Sequence, residues 1–115
     1  MKFLQYDYSF PQWLHDYAGR RPIVDVGCGE GHLLLDLLRL RPERASGVDL
    51  YEPDAREVQP YVLIGDAREP PASMIIQGRG LLLVFARPCH GSWVSDVVAR
   101  ANSEVLYVGR ESCLS

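Results

Sequence analysis

The chain has 115 residues, of which 47% are hydrophobic and 23% charged, and carries a formal net charge of -3. That is the length and balance of one globular domain, with too little chain for a second core and no surplus of positive charge to grip nucleic-acid phosphates. The three cysteines have no regular spacing and form neither a disulfide framework nor a metal-ligand set; the central apolar run 81–86 is far too short to cross a bilayer. Residues 1–10 carry no leader pattern, so a cytoplasmic protein without membrane contact is expected.

The segment up to Gly19 is rich in aromatic residues: Phe3, Tyr6, Tyr8, Phe10, Trp13 and Tyr17. Ser9 with Gln12 three positions later has the form of a capping box, and Pro11 suits a first turn, so a short helix is predicted over 10–17, ended by Gly19. Its aromatics read as cover for the core. Ile23, Val24 and Val26 form a short apolar run typical of a buried strand, which stops at Gly27-Cys28-Gly29-Glu30-Gly31. A helix follows over about 30–40. Its polar residues His32, Asp36 and Arg39 share one stripe, and leucines fill the rest, as suits a helix lying on a sheet.

Pro42 closes that helix. Further strands are predicted at 45–50, 61–64, 81–85 and 105–108, with a helix over 92–101 between the last two. The links after the second and third strands are short and marked by proline, leaving room for helices of one or two turns. Strand and helix alternating at this spacing predict an α/β domain with a parallel sheet and right-handed crossovers.

The chemistry concentrates at Val24-Asp25-Val26-Gly27-Cys28-Gly29-Glu30-Gly31, where a strand turns into a helix. Glycines let the backbone turn sharply and approach a ligand closely, and the helix that follows presents free N–H groups. A dinucleotide fingerprint would need its third glycine at position 32, which is His32, and no P-loop lysine is present, so NAD and ATP are disfavoured. Asp49 ends the second strand 20 positions beyond Gly29, where it can accept hydrogen bonds from ribose hydroxyls. Asp66 ends the third, in Gly65-Asp66-Ala67. Three consecutive strands are thus expected to bring Asp25, Asp49 and Asp66 to one sheet edge.

Together, residues 24–31, Gly47-Val48-Asp49-Leu50 and Gly65-Asp66-Ala67 resemble the class I S-adenosylmethionine-dependent methyltransferases, over about 23–109. The resemblance implies a doubly wound, Rossmann-like parallel sheet of five strands, order 3-2-1-4-5, in one domain spanning 1–115 with a cofactor-binding core at 22–109. It also implies that Asp25 holds the methionine amino group and that Gly27, Cys28, Gly29 and Gly31 line methionine and ribose. Asp49 would bind the ribose hydroxyls, Asp66 the adenine amine, and Leu50 and Ala67 would flank the adenine ring. The family continues past the fifth strand with an antiparallel pair, which is lacking before Ser115, and here the turn after the fourth strand reads Ala86-Arg87-Pro88-Cys89-His90, without a carboxylate. In that turn the chain looks more like shortened archaeal methyltransferase-like proteins, a likeness that implies no activity.

Within that turn, His90 is a candidate general base, and Arg87 a candidate partner for a substrate anion or the cofactor carboxylate. The bland alternatives are a helix start for His90 and a structural ion pair for Arg87. Cys28 reads as a small residue that fits its loop, with a lowered pKa from the nearby helix N-terminus as the sharper alternative. A missing edge pair would leave the fifth strand exposed, so a homodimer or partner protein is expected along it. Two functions follow: a methyltransferase acting on an unidentified acceptor, or a non-catalytic module that binds the cofactor or serves as a scaffold beside a partner subunit.

Overall fold

The computed structural model describes residues 2–4, 7–86 and 92–109. Its elements in chain order are β1 (Lys2–Leu4), α1 (Phe10–Ala18), β2 (Ile23–Val26), α2 (His32–Leu40), β3 (Ala45–Asp49), a 3₁₀ turn (Gln59–Tyr61), β4 (Val62–Ile64), α3 (Ala72–Ile76), β5 (Leu82–Ala86), α4 (Trp93–Arg100) and β6 (Glu104–Val108). All strand pairings are parallel, in the order β1-β6-β5-β2-β3-β4. Strands β4-β3-β2-β5-β6 reproduce the expected order 3-2-1-4-5, and the fold is Rossmann-like. None of the described helices is long and apolar enough to cross a membrane.

The sixth strand corrects one expectation. Lys2–Leu4 pairs with Leu106–Val108, so the edge of β6 on which a homodimer or partner was to dock is already covered. Three residues are too few to display the period of two by which a strand announces itself.

Alternation along the strands sends side chains into two apolar layers. Ile23, Ala45, Leu82, Val84, Leu106 and Val108 meet α1 and α2 on one face. Val24, Val26, Val48, Leu83, Phe85 and Tyr107 meet α3 and α4 on the other. The leucine run of α2 supplies Leu33, Leu34 and Leu37 to the first layer, while His32 and Arg39 stay exposed. Helix α1 starts as predicted but without the capping box. The Ser9 hydroxyl donates to Asp7 Oδ1 (2.5 Å) instead of capping the helix, and Gln12 Nε2 donates to Asp16 Oδ1 (3.1 Å). Asp7, two residues earlier, outcompetes the helix for Ser9. Of the aromatics, Phe10 is buried, whereas Trp13 is 38% exposed and stacks on Tyr17 (4.8 Å between ring centroids).

Arg41, just past α2, is 4% exposed and has no carboxylate partner among the described residues. Its guanidinium instead donates to three backbone carbonyls, those of His15 (3.3 Å), Gly19 (3.1 Å) and Arg21 (2.6 Å). It therefore ties the end of α1 and the run into β2 to the end of α2. A buried carbonyl that loses a charged donor costs its full desolvation penalty. Arg41→Leu is expected to lower stability by about 2–4 kcal/mol, read from urea unfolding, with Arg41→Lys intermediate because one ammonium cannot span the three acceptors.

Candidate functional site

The site begins where β2 runs out. The N–H groups of Gly27 and Cys28 both donate to the carbonyl of Val48 (2.7 and 3.1 Å), and Gly29 N–H donates to Asp49 Oδ2 (2.8 Å). The glycine loop thus hangs from the end of the neighbouring strand. Gly29 has φ +57° and Gly31 φ +86°, left-handed conformations that a side chain strains. On Gly29 an added Cβ would meet nothing, so that side of the loop is open; on Gly31 it would strike Val58 Cγ2 at 2.6 Å.

Around the open side lies a cavity of about 640 Å³, formed at the carboxyl ends of β2, β3, β4 and β5. Its walls are Gly27, Cys28 and Gly29 from the loop; Val48, Asp49, Leu50 and Tyr51 from the end of β3; Gly65, Asp66, Ala67 and Arg68 from the end of β4; and Ala86 and Trp93. This is the crevice at which an open parallel sheet receives ligands. Each acid in its walls is engaged. Asp49 accepts Gly29 N–H on Oδ2 and Tyr51 N–H (3.0 Å) on Oδ1. Asp66 Oδ1 accepts the Arg68 backbone N–H (2.9 Å) and Nε (3.2 Å), and its Oδ2 accepts Nη2 (3.0 Å). The Arg68 side chain and N–H hold the Asp66 carboxyl below the usual carboxylate range.

The expected residues divide. Gly27, Cys28, Gly29, Asp49, Leu50, Asp66 and Ala67 come together around the cavity. Asp25 and Gly31 are not among its lining residues. Gly31 packs under Val58 at the start of α2. Asp25 precedes the last residue of β2, in register with Gly47 and Val84, and alternation turns it toward the α2 layer rather than out of the turn. It is 1% exposed, and its Oδ1 has no hydrogen-bond partner among the described residues. Arg87 and His90 lie outside the described residues.

Three wall residues escaped the sequence reading: Tyr51, Arg68 and Trp93. Arg68 could have been found from Asp66, since an aspartate readily binds the backbone two residues on and carries that residue's side chain with it. Trp93 opens α4 and leans on Gly27, where an added Cβ would lie 3.2 Å from Cη2. A tryptophan at the start of a helix carries no signal in sequence that it will lean on a distant glycine.

Cys28 departs from the reactive-thiol alternative. Burial first, then the nearby Asp25 and Asp49, push its thiol up to about 12. The helix dipole does not win, because α2 starts only at His32 and the Cys28 side chain is tucked against Gly47.

Asp25 is pushed up to about 7, by burial first and by Asp49 second. In the unfolded chain it ionises near the ordinary value of 3.8. Between these pH values the folded state holds a proton that the unfolded state has lost, so stability falls as pH rises through this window, by at most about 1.4 kcal/mol per pH unit from this group. Asp25→Asn is expected to remove this slope and to raise stability at pH 8, measured by urea unfolding between pH 5 and 8. A variant that keeps the wild-type slope would refute the assignment.

Compared with known proteins, the chain matches no family model, no curated protein and no solved structure.

Proposed function

We propose that the cavity takes S-adenosylmethionine or its demethylated product, and that the chain is a cytoplasmic methyltransferase-like protein acting on an unidentified acceptor. The observation that carries this reading is the Gly29–Asp49 contact: a carboxylate fixed by the glycine loop at the mouth of a cavity with a second carboxylate, Asp66, one strand away.

The chain's residues fit such a guest. A carboxylate has about four acceptor sites, and Asp49 uses one per oxygen on backbone N–H groups, which leaves two for a pair of ribose hydroxyls. Asp66 keeps a site on Oδ2 for an amine, and Leu50 and Ala67 offer apolar walls beside it. When bound, the cofactor supplies an electrophilic methyl group on a sulfonium. The protein's own work is then to position and to exclude water; in-line transfer asks little more.

A second reading has its own support. Among the described wall residues there is no histidine or lysine, and both carboxylates are engaged, so no general base stands ready there. Arg87 and His90, in the link between Ala86 and Trp93, remain the candidates for acceptor contact and proton removal. Without such a role the chain is a cofactor-binding module that leaves chemistry to a partner.

Calorimetric titration with S-adenosylmethionine is expected to show one site, and Asp49→Ala to weaken it by about 1–3 kcal/mol through lost charged hydrogen bonds. Absence of heat and of any thermal shift in the wild type would leave only a scaffold. For activity, labelled methyl transfer into a cell extract is expected to fall at least tenfold in Arg87→Ala; binding without transfer by the wild type supports the module.

A further inference from the structure

We infer that Arg68 is a base-specificity residue of this cavity: its guanidinium and the Asp66 carboxylate together read the amino–imine edge of a 6-aminopurine. This rests on the adenosyl reading above. The fork between the two side chains has two points of attachment, Nε to Oδ1 (3.2 Å) and Nη2 to Oδ2 (3.0 Å), and both residues line the cavity. Two-point attachment fixes the planes of both groups relative to each other, which a single hydrogen bond would not.

Counting valences then gives the recognition pattern. Asp66 Oδ1 is filled by the Arg68 backbone N–H and Nε, while Oδ2 receives only Nη2 and retains one acceptor position. Arg68 carries five N–H donors, of which the fork consumes two; the second N–H of Nη2, the nitrogen that stands 3.0 Å from Oδ2, makes no hydrogen bond among the described residues. An acceptor and a donor are thereby held side by side on one rigid unit. A 6-aminopurine presents the complement, an exocyclic N–H beside a ring nitrogen acceptor. A 6-oxopurine presents an oxygen and a ring N–H, so both contacts invert and oppose like to like. Sites that hydrogen-bond a guest reject the mismatched analogue strongly, because their own polar groups are left unpaired. The fork lies at the rim, with side chains 29% (Asp66) and 46% (Arg68) exposed, so water softens the penalty and a discrimination of about tenfold to thirtyfold is expected.

The experiment titrates S-adenosylhomocysteine, its 6-oxo counterpart S-inosylhomocysteine and its 1-deaza analogue, which lacks only the ring acceptor, into wild type, Arg68→Met and Arg68→Lys. Wild type is expected to favour the adenosyl ligand over both others by about tenfold or more. Arg68→Met is expected to fold with an unchanged melting temperature and to bind the adenosyl and 1-deaza ligands within about threefold of each other, because the contact to the ring nitrogen is gone. Arg68→Lys, unable to form the fork, is expected to resemble Arg68→Met. A 1-deaza preference that survives in Arg68→Met assigns the ring nitrogen to a backbone donor and overturns the inference, as does a wild type indifferent to the 1-deaza change. Failure of every ligand to bind the wild type removes the adenosyl reading itself, which sets that outcome apart from failure of the Arg68 role alone.

Discussion

The end of β3 is the hinge-pin of this molecule. The Val48 carbonyl accepts two N–H groups from the glycine loop, and the next residue, Asp49, accepts a third through its side chain. A loop leaving a strand exposes polar backbone groups that need partners, and here the neighbouring strand supplies them before any helix N-terminus is reached. The loop is therefore held in place by hydrogen bonds to β3 together with the inward packing of Cys28 against Gly47. That leaves its outer side open at Gly29 while its inner side stays fixed.

This arrangement is steric as much as polar. Cys28 can turn inward only because Gly47 stands opposite: a Cβ there would lie 2.9 Å from the Cys28 sulfur and 3.1 Å from Leu34. Val58 likewise occupies the space that a side chain on Gly31 would need, so the stretch between β3 and β4 braces the start of α2. The glycines thus serve distinct ends. Gly29 faces the cavity, Gly27 admits Trp93, and Gly31 and Gly47 admit protein side chains. A spacing of glycines that looks like one ligand motif is in part a packing motif.

That division marks what can be read from the sequence. The order of the five central strands follows from alternating apolar runs and short links, because parallel pairing with right-handed crossovers leaves few alternatives. Asp49 and Asp66 were legible for the same reason: Asp49 ends β3, Asp66 follows β4 by two residues, and all strand ends of a parallel sheet face one edge. Asp25 lies one residue before the end of β2, and alternation turns it inward, away from the edge to which Asp49 and Asp66 come. The strand Lys2–Leu4 was hidden because pairing with β6 is decided by a contact about a hundred residues away in sequence, not by local pattern. Trp93 depends on side-chain direction, which strand and helix periods do not encode.

The three acids also show how much negative charge so small a region can hold. At the cavity wall Asp49 accepts backbone N–H groups and Asp66 is paired with Arg68, whereas Asp25 is buried with its Oδ1 unpartnered among the described residues, and burial first, then Asp49, push it up to about 7. Were Asp25 ionised, it would be a second carboxylate near Asp49, which lies two residues beyond its β3 register partner Gly47, in a buried setting where like charges repel. A cationic guest changes that balance, because its charge favours the ionised form of every nearby carboxylate.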